Sequence, residues 1–181
     1  MAGECEHLAK AQVQVTCEGT LLRHVHQDSL LNDGVNPHPN SFYSGVHSLQ
    51  DGCSVDLLCM TSARQSRIVL GLQKRGKPDA PWVGYKDPTK FRLFELRVQD
   101  VLAIAEMSEV VHSPSNMLDP LWRGRPRNEA HCLVRPSKDV KDLVLLADIA
   151  RPHECPDVTD DLLNARSDSE RVCIENGTMG P

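Results

Sequence analysis

The sequence predicts one small α+β domain with a mixed or antiparallel sheet and two or three helices. Several short runs are rich in β-forming side chains and end at turn residues, as strands do. Only two or three segments show the helical spacing of apolar residues. The strands do not alternate with helices in the regular order that a parallel βαβ sheet requires. A length of 181 residues suits one domain with appendages.

The predicted strands carry alternating or β-branched apolar residues, and in chain order they are Thr20–His26, Ser54–Met60, Phe91–Val98, Glu109–His112 and Glu129–Arg135. In the third strand, Phe94, Leu96 and Val98 lie on one face, and Glu95 and Arg97 lie on the other. Proline, glycine and asparagine are frequent between these runs, which indicates turns and long loops.

Two helices are predicted with their capping residues, namely Ala63–Gln73 after Thr61 or Ser62, and Val101–Met107 after Asp100. A third segment, Asp139–Ile149, fits two structures. Val140, Val144 and Ala147 have helical spacing, whereas the apolar run Leu143–Leu146 also fits a buried strand. Periodicity leaves both structures open.

Composition divides the chain into an N-terminal arm (1–19), a globular α+β domain (20–151) and an acidic tail (152–181) that we expect to be disordered. Pro156–Pro181 holds six acidic and two basic residues, which is −4 of the net charge of −5. The body is therefore nearly neutral and lacks the basic excess of a general nucleic-acid binder. With no signal-peptide pattern and no apolar run of about 20 residues, we expect a cytoplasmic protein without a membrane contact.

The segment from Leu21 to Asp56 is the best place to look for a site, because ligating and proton-transferring side chains are concentrated there. His24 and His26 are two residues apart, so on a strand they share one face. That spacing suits two ligands of one metal ion, with a third ligand that no spacing identifies. The alternative is a surface strand whose histidines hydrogen-bond to the neighbouring loop.

A second candidate site is a basic loop that combines one aromatic residue with three arginines, namely Trp122, Arg123, Arg125 and Arg127. Such a loop can contact phosphates while the indole stacks on a base. The nearly neutral body and the scarcity of aromatic residues favour solvated loops instead. We therefore do not expect a nucleic-acid partner.

The run from Leu22 to Asp56, which contains LRHVHQDSLLNDG, HPNSF and GCSVD, resembles small uncharacterised prokaryotic proteins. Those proteins begin with an Arg-His-Val-His strand, a turn and a Ser-Val strand. The later segments Glu129–Arg135 and Ser137–Ile149 are similar to the C-terminal half of those proteins. The resemblance therefore covers about two thirds of the chain, and it implies no established activity.

The chain is also similar to ADP-ribosyltransferase-like folds, in which an early strand bears Arg or His, a middle strand opens with Ser and a late strand carries Glu. Arg23 or His24, Ser54 and Glu129 occur in that order. The resemblance implies that Arg23 contacts dinucleotide phosphates, Ser54 braces the site and Glu129 holds the ribose hydroxyls. The chain departs from the family in having no Glu-x-Glu or Gln-x-Glu motif.

Three functions follow from these patterns. The first is a cytoplasmic, non-catalytic binding or accessory module that acts on a protein or an anionic ligand such as a nucleotide. The second is an ADP-ribosyltransferase-like enzyme with Arg23, His24, Ser54 and Glu129 as its catalytic residues. The third is a metal-binding protein that uses His24 and His26. The sequence has no Walker A, Gly-x-Gly-x-x-Gly or His-Glu-x-x-His motif, and it identifies no cofactor.

Overall fold

The computed structural model of the chain describes residues 13–16, 18–43, 52–73, 84–104, 108–114, 127–135 and 140–166. These residues form one antiparallel sheet with helices packed against it, which confirms the predicted α+β class. The strands are β1 (Val13–Gln14), β2 (Thr20–His26), β3 (Cys53–Leu57), β4 (Phe91–Arg97), β5 (Glu109–His112), β6 (His131–Arg135) and β7 (Arg151–His153). Their order across the sheet is β1-β5-β6-β3-β2-β4-β7.

The described residues form four α-helices beside the sheet, namely α1 (Ala63–Gly71), α2 (Val98–Leu102), α3 (Val140–Ile149) and α4 (159–166). Helix α1 begins where the sequence predicted, because the Ser62 hydroxyl accepts a hydrogen bond from the Gln65 N–H. Helix α2 begins at Val98, three residues earlier than predicted, and buries Val98 and Val101. Asp100 therefore lies inside α2 rather than before it.

The ambiguous segment 139–149 is helical. Helix α3 buries Leu143 and Leu146, and Ala150 follows them into the same core at helical spacing. Val144 and Leu145, which made the run look like a buried strand, lie on the exposed side. The hydrophobic core is formed by these α3 residues and by apolar side chains of β2, β3, β4, β6 and α2.

The ordered part of the chain extends past the boundary predicted at residue 151. Strand β7 pairs with β4, and α4 follows it. Val158 and Leu162 are buried, and Leu162 fills the space beside Gly71, where a Cβ atom would lie 2.6 Å from its Cδ2. Two apolar residues four apart thus dock a segment whose average composition is polar. Residues 167–181 of the predicted tail lie outside the described residues.

The predicted N-terminal arm also contributes to the sheet, since Val13 and Gln14 pair with β5. Within the described ranges, every helix is too short or too polar to span a bilayer.

Candidate functional site

A cleft opens where β2 and β3 separate. Strand β2 pairs with β4 along all seven of its residues, but it pairs with β3 only at Leu21↔Leu57 and Leu22↔Asp56. On its other edge, β3 pairs with β6 from Cys53 to Asp56. The gap between the two strands, closed on one side by α1, contains a cavity of about 360 Å³.

Arg23 spans this gap. Its Nε and Nη2 donate to the carbonyl of Ser41, at 3.2 and 2.6 Å, and its Nη1 donates to the carbonyl of Ser54 at 2.7 Å. The guanidinium therefore ties the loop before β3 to β3 itself. Three of its five N–H groups are used in this way, so one remains on each terminal nitrogen.

A chain of hydrogen bonds crosses the floor of the cleft. The Ser66 hydroxyl donates to Oδ2 of Asp56, and His24 Nε2 lies 2.7 Å from the same hydroxyl. Asn128 Nδ2 donates to Oδ1 of Asp56 at 2.7 Å. Since Ser66 gives its single hydrogen to Asp56, it accepts from His24, which places the imidazole hydrogen on Nε2. Nδ1 of His24 is then a buried acceptor, and no described group donates to it.

His24 is neutral across the physiological pH range. Burial is the largest cause that lowers its pKa, from the ordinary 6.5 to about 3. The positive charges of Arg67, Arg23 and Lys86 lower the pKa further, whereas a hydrogen bond to the backbone of Ser66 raises it. Three cations therefore lie close enough to His24 to disfavour its protonated form.

Arg67 is a functional candidate that sequence reasoning missed. It is only 5% exposed, and it donates to the carbonyls of Phe91 and Pro88 at 3.2 and 3.1 Å. No carboxylate of the described residues lies within 4.0 Å of it. Its helical spacing from the apolar Leu70 was the available signal, because it predicts an inward-facing arginine.

Of the predicted catalytic residues, Arg23, His24 and Ser54 line the cleft, and Glu129 does not. The Glu129 carboxylate is bonded to Arg127, and its side chain is 46% exposed. The carboxylate that lines the cleft belongs to Asp56. The predicted set thus converges in part, since Arg23, His24 and Ser54 line one cleft but Glu129 lies outside it.

The histidine pair also lines the cleft, but both side chains already have partners. His24 Nε2 is bonded to Ser66, and Nδ1 of His26 accepts from the Asp28 N–H at 3.3 Å. The ring of His26 also packs edge-on against Phe91. Across the described ranges, no group of three His, Cys, Asp or Glu side chains is placed to hold a metal ion.

The basic loop is described only in part. Arg127 is exposed and pairs with Glu129, away from the cleft. Trp122, Arg123 and Arg125 lie outside the described residues, so the predicted phosphate contacts of this loop stay a prediction.

No family model matches the chain, and no curated protein or solved structure is significantly similar to it.

Proposed function

We propose that the protein is a non-catalytic binding module that takes a small anionic ligand in the cleft between β2 and β3. The cavity volume of about 360 Å³ lies near the lower end of the range of small-molecule sites. This size favours a ligand comparable to a mononucleotide over a polymer. From the sequence we also predict that the module acts in the cytoplasm.

The observation that carries this proposal is a set of cations at and beside the cleft. Among the described residues, Arg23 and Arg67 donate to backbone carbonyls, and Lys86 donates to the side-chain oxygen of Gln73 at 2.7 Å. Arg23 and Lys86 line the cleft together with the carboxylate of Asp56, and Arg67 lies close enough to lower the pKa of His24, in a protein whose net charge is −5. An excess of one sign of charge at a cleft concentrates ligands of the opposite sign.

The electrostatics of His24 favour binding over catalysis. A general base works best when its pKa lies near the operating pH. With a pKa of about 3, His24 is a weak base, and its side chain stays neutral at physiological pH. It is better suited to accept a hydrogen bond than to remove a proton.

Titration calorimetry with AMP, ADP and inorganic phosphate, against neutral adenosine, tests the proposal. The variant is Lys86→Gln, which removes a cation of the cleft, and the matched control is Lys90→Gln, which removes an exposed lysine elsewhere. A charge-assisted hydrogen bond contributes about 1.5–3 kcal/mol, so we expect Lys86→Gln to weaken anion binding by roughly 10-fold or more. Lys90→Gln should change the affinity less than about twofold.

Equal losses in the two lysine variants would contradict the assignment of the cleft. If none of the anions binds at millimolar concentration, the anionic-ligand proposal fails, and a protein partner becomes the leading form of the binding hypothesis. Thermal unfolding of both variants shows whether a lost affinity reflects a lost fold.

The second candidate function is an ADP-ribosyltransferase-like enzyme. One observation favours it, namely that Arg23, His24 and Ser54 line one cleft that also contains the carboxylate of Asp56. The discriminating assay is release of nicotinamide from NAD. Release by the wild type that is lost in Asp56→Asn would favour the enzyme over the binding module.

A further inference from the structure

Asp56 is a buried carboxylate in a cationic cleft, yet it does not pair with a cation. It is 7% exposed, and its described partners are the neutral donors Ser66 and Asn128. No nitrogen of a described Lys, Arg or His side chain lies within 4.0 Å of its oxygens. A carboxylate has about four acceptor positions, and these two partners use one each.

The arrangement keeps opposite charges apart. Arg23 is held by the carbonyls of Ser41 and Ser54, and Asp56 is held by Ser66 and Asn128. A buried charge is costly unless it is paired and fully hydrogen-bonded. The unused N–H groups of Arg23 and the open acceptor positions of Asp56 are therefore both available to a ligand that carries complementary groups.

A simple anion complements the cations of this cleft but not the carboxylate of Asp56. Inorganic phosphate at physiological pH complements the cations but is repelled by Asp56. A ligand that also carries hydroxyl groups can donate them to Asp56 while its anionic group faces Arg23 or Lys86. The ring of Tyr43, which lines the cleft and is 45% exposed, adds an aromatic surface for an attached ring.

We propose that the ligand is a hydroxylated organic phosphate, a sugar phosphate either alone or within a nucleotide, whose hydroxyl groups donate to Asp56. This inference rests on the proposed anion-binding function and narrows it to one ligand class.

The test compares ribose 5-phosphate with inorganic phosphate by titration calorimetry of the full chain. We expect the wild type to bind ribose 5-phosphate at least 10-fold more tightly. Asp56→Asn should lower the affinity for ribose 5-phosphate by about 10-fold or more and should leave the affinity for phosphate unchanged or higher. The control, Asp100→Asn, removes an exposed carboxylate outside the cleft and should change neither affinity.

The two proposals fail in different ways. If phosphate binds as tightly as ribose 5-phosphate and Asp56→Asn strengthens both, the cleft binds anions without using hydroxyl groups, and this inference is overturned alone. Free glutamate offers Asp56 an ammonium group and no hydroxyl group. Tighter binding of glutamate than of ribose 5-phosphate would therefore also overturn the inference. If neither phosphate compound binds, the anion-binding function itself fails. Should Asp56→Asn not fold, the comparison of the two ligands on the wild type still decides.

Discussion

At the residue scale, the sequence pointed to Arg23 and His24, which line the cleft, but it did not indicate their hydrogen-bond partners. Two histidines on one strand face suggested a metal pair, because strand geometry alone determines that spacing. The role of His24 depends on Ser66, which is 42 residues away in the chain. No local pattern encodes such a contact, so Ser66 and Asn128 were not predicted as parts of the site.

The depressed pKa of His24 predicts a pH-dependent stability. Between pH 6.5 and 3 the unfolded chain binds a proton at this side chain and the folded chain does not. Stability is therefore greatest above pH 6.5 and is lost as the pH falls, by about 1.4 kcal/mol per unit. Urea unfolding from pH 6.5 to pH 5, where carboxylates stay ionised, should show a loss of about 2 kcal/mol from this residue.

The variant for this measurement is His24→Gln, whose amide can still donate to Ser66 but does not titrate. It should be less stable at pH 7 and should show a shallower decline toward pH 5. The control, His38→Gln, replaces an exposed histidine and should retain the wild-type slope. Identical slopes in all three proteins would contradict a neutral, buried His24.

At the element scale, the strands inside the predicted domain were easier to identify than the segment with β7 and α4 that follows it. The β2 strand, Thr20–His26, and the β5 strand, Glu109–His112, have the predicted bounds because alternation and turn residues define them locally. The segment with β7 and α4 was assigned to the tail, since its composition is polar and acidic. Its order depends on a contact between Leu162 and Gly71 that sequence periodicity does not reveal.

Gly71→Ala tests the docking of α4. In an exposed helix this change stabilises by about 1 kcal/mol. Here the new Cβ would lie 2.6 Å from Leu162 and 2.9 Å from Pro88, so we expect a loss of about 1–3 kcal/mol, measured by urea unfolding.

A double-mutant cycle supplies the control for the docking of α4. Leu162→Ala alone should cost about 2–5 kcal/mol. In that background Gly71→Ala should cost less, because the closest contact is gone. Leu163→Ala, on the exposed side of α4, should be nearly neutral. Strict additivity of the Gly71 and Leu162 changes would mean that the two residues do not touch.

At the scale of the whole molecule, the sheet interleaves distant parts of the chain. The central strands β3 and β2 are flanked by β6 on one side and β4 on the other, and β1 and β7 form the two edges. The cleft needs the same interleaving, since Asn128 bonds to Asp56 from 72 residues away. The site could therefore be located to a segment by sequence, but it could not be assembled without the topology.

Interleaved strands predict that the domain unfolds as one cooperative unit. Residues 20–97 supply the neighbouring strands β3, β2 and β4, and residues 109–135 supply β5 and β6. The β3–β6 ladder joins these two sections, and each edge strand pairs with a strand that is distant in the chain, so we expect the sheet to be lost as a whole. Urea unfolding followed by far-UV circular dichroism and by intrinsic fluorescence should give coincident single transitions. Gly71→Ala should lower the midpoint without changing the m value, since it alters stability and not the surface exposed on unfolding. An early transition confined to this variant would instead show that β7 and α4 unfold as a separate unit.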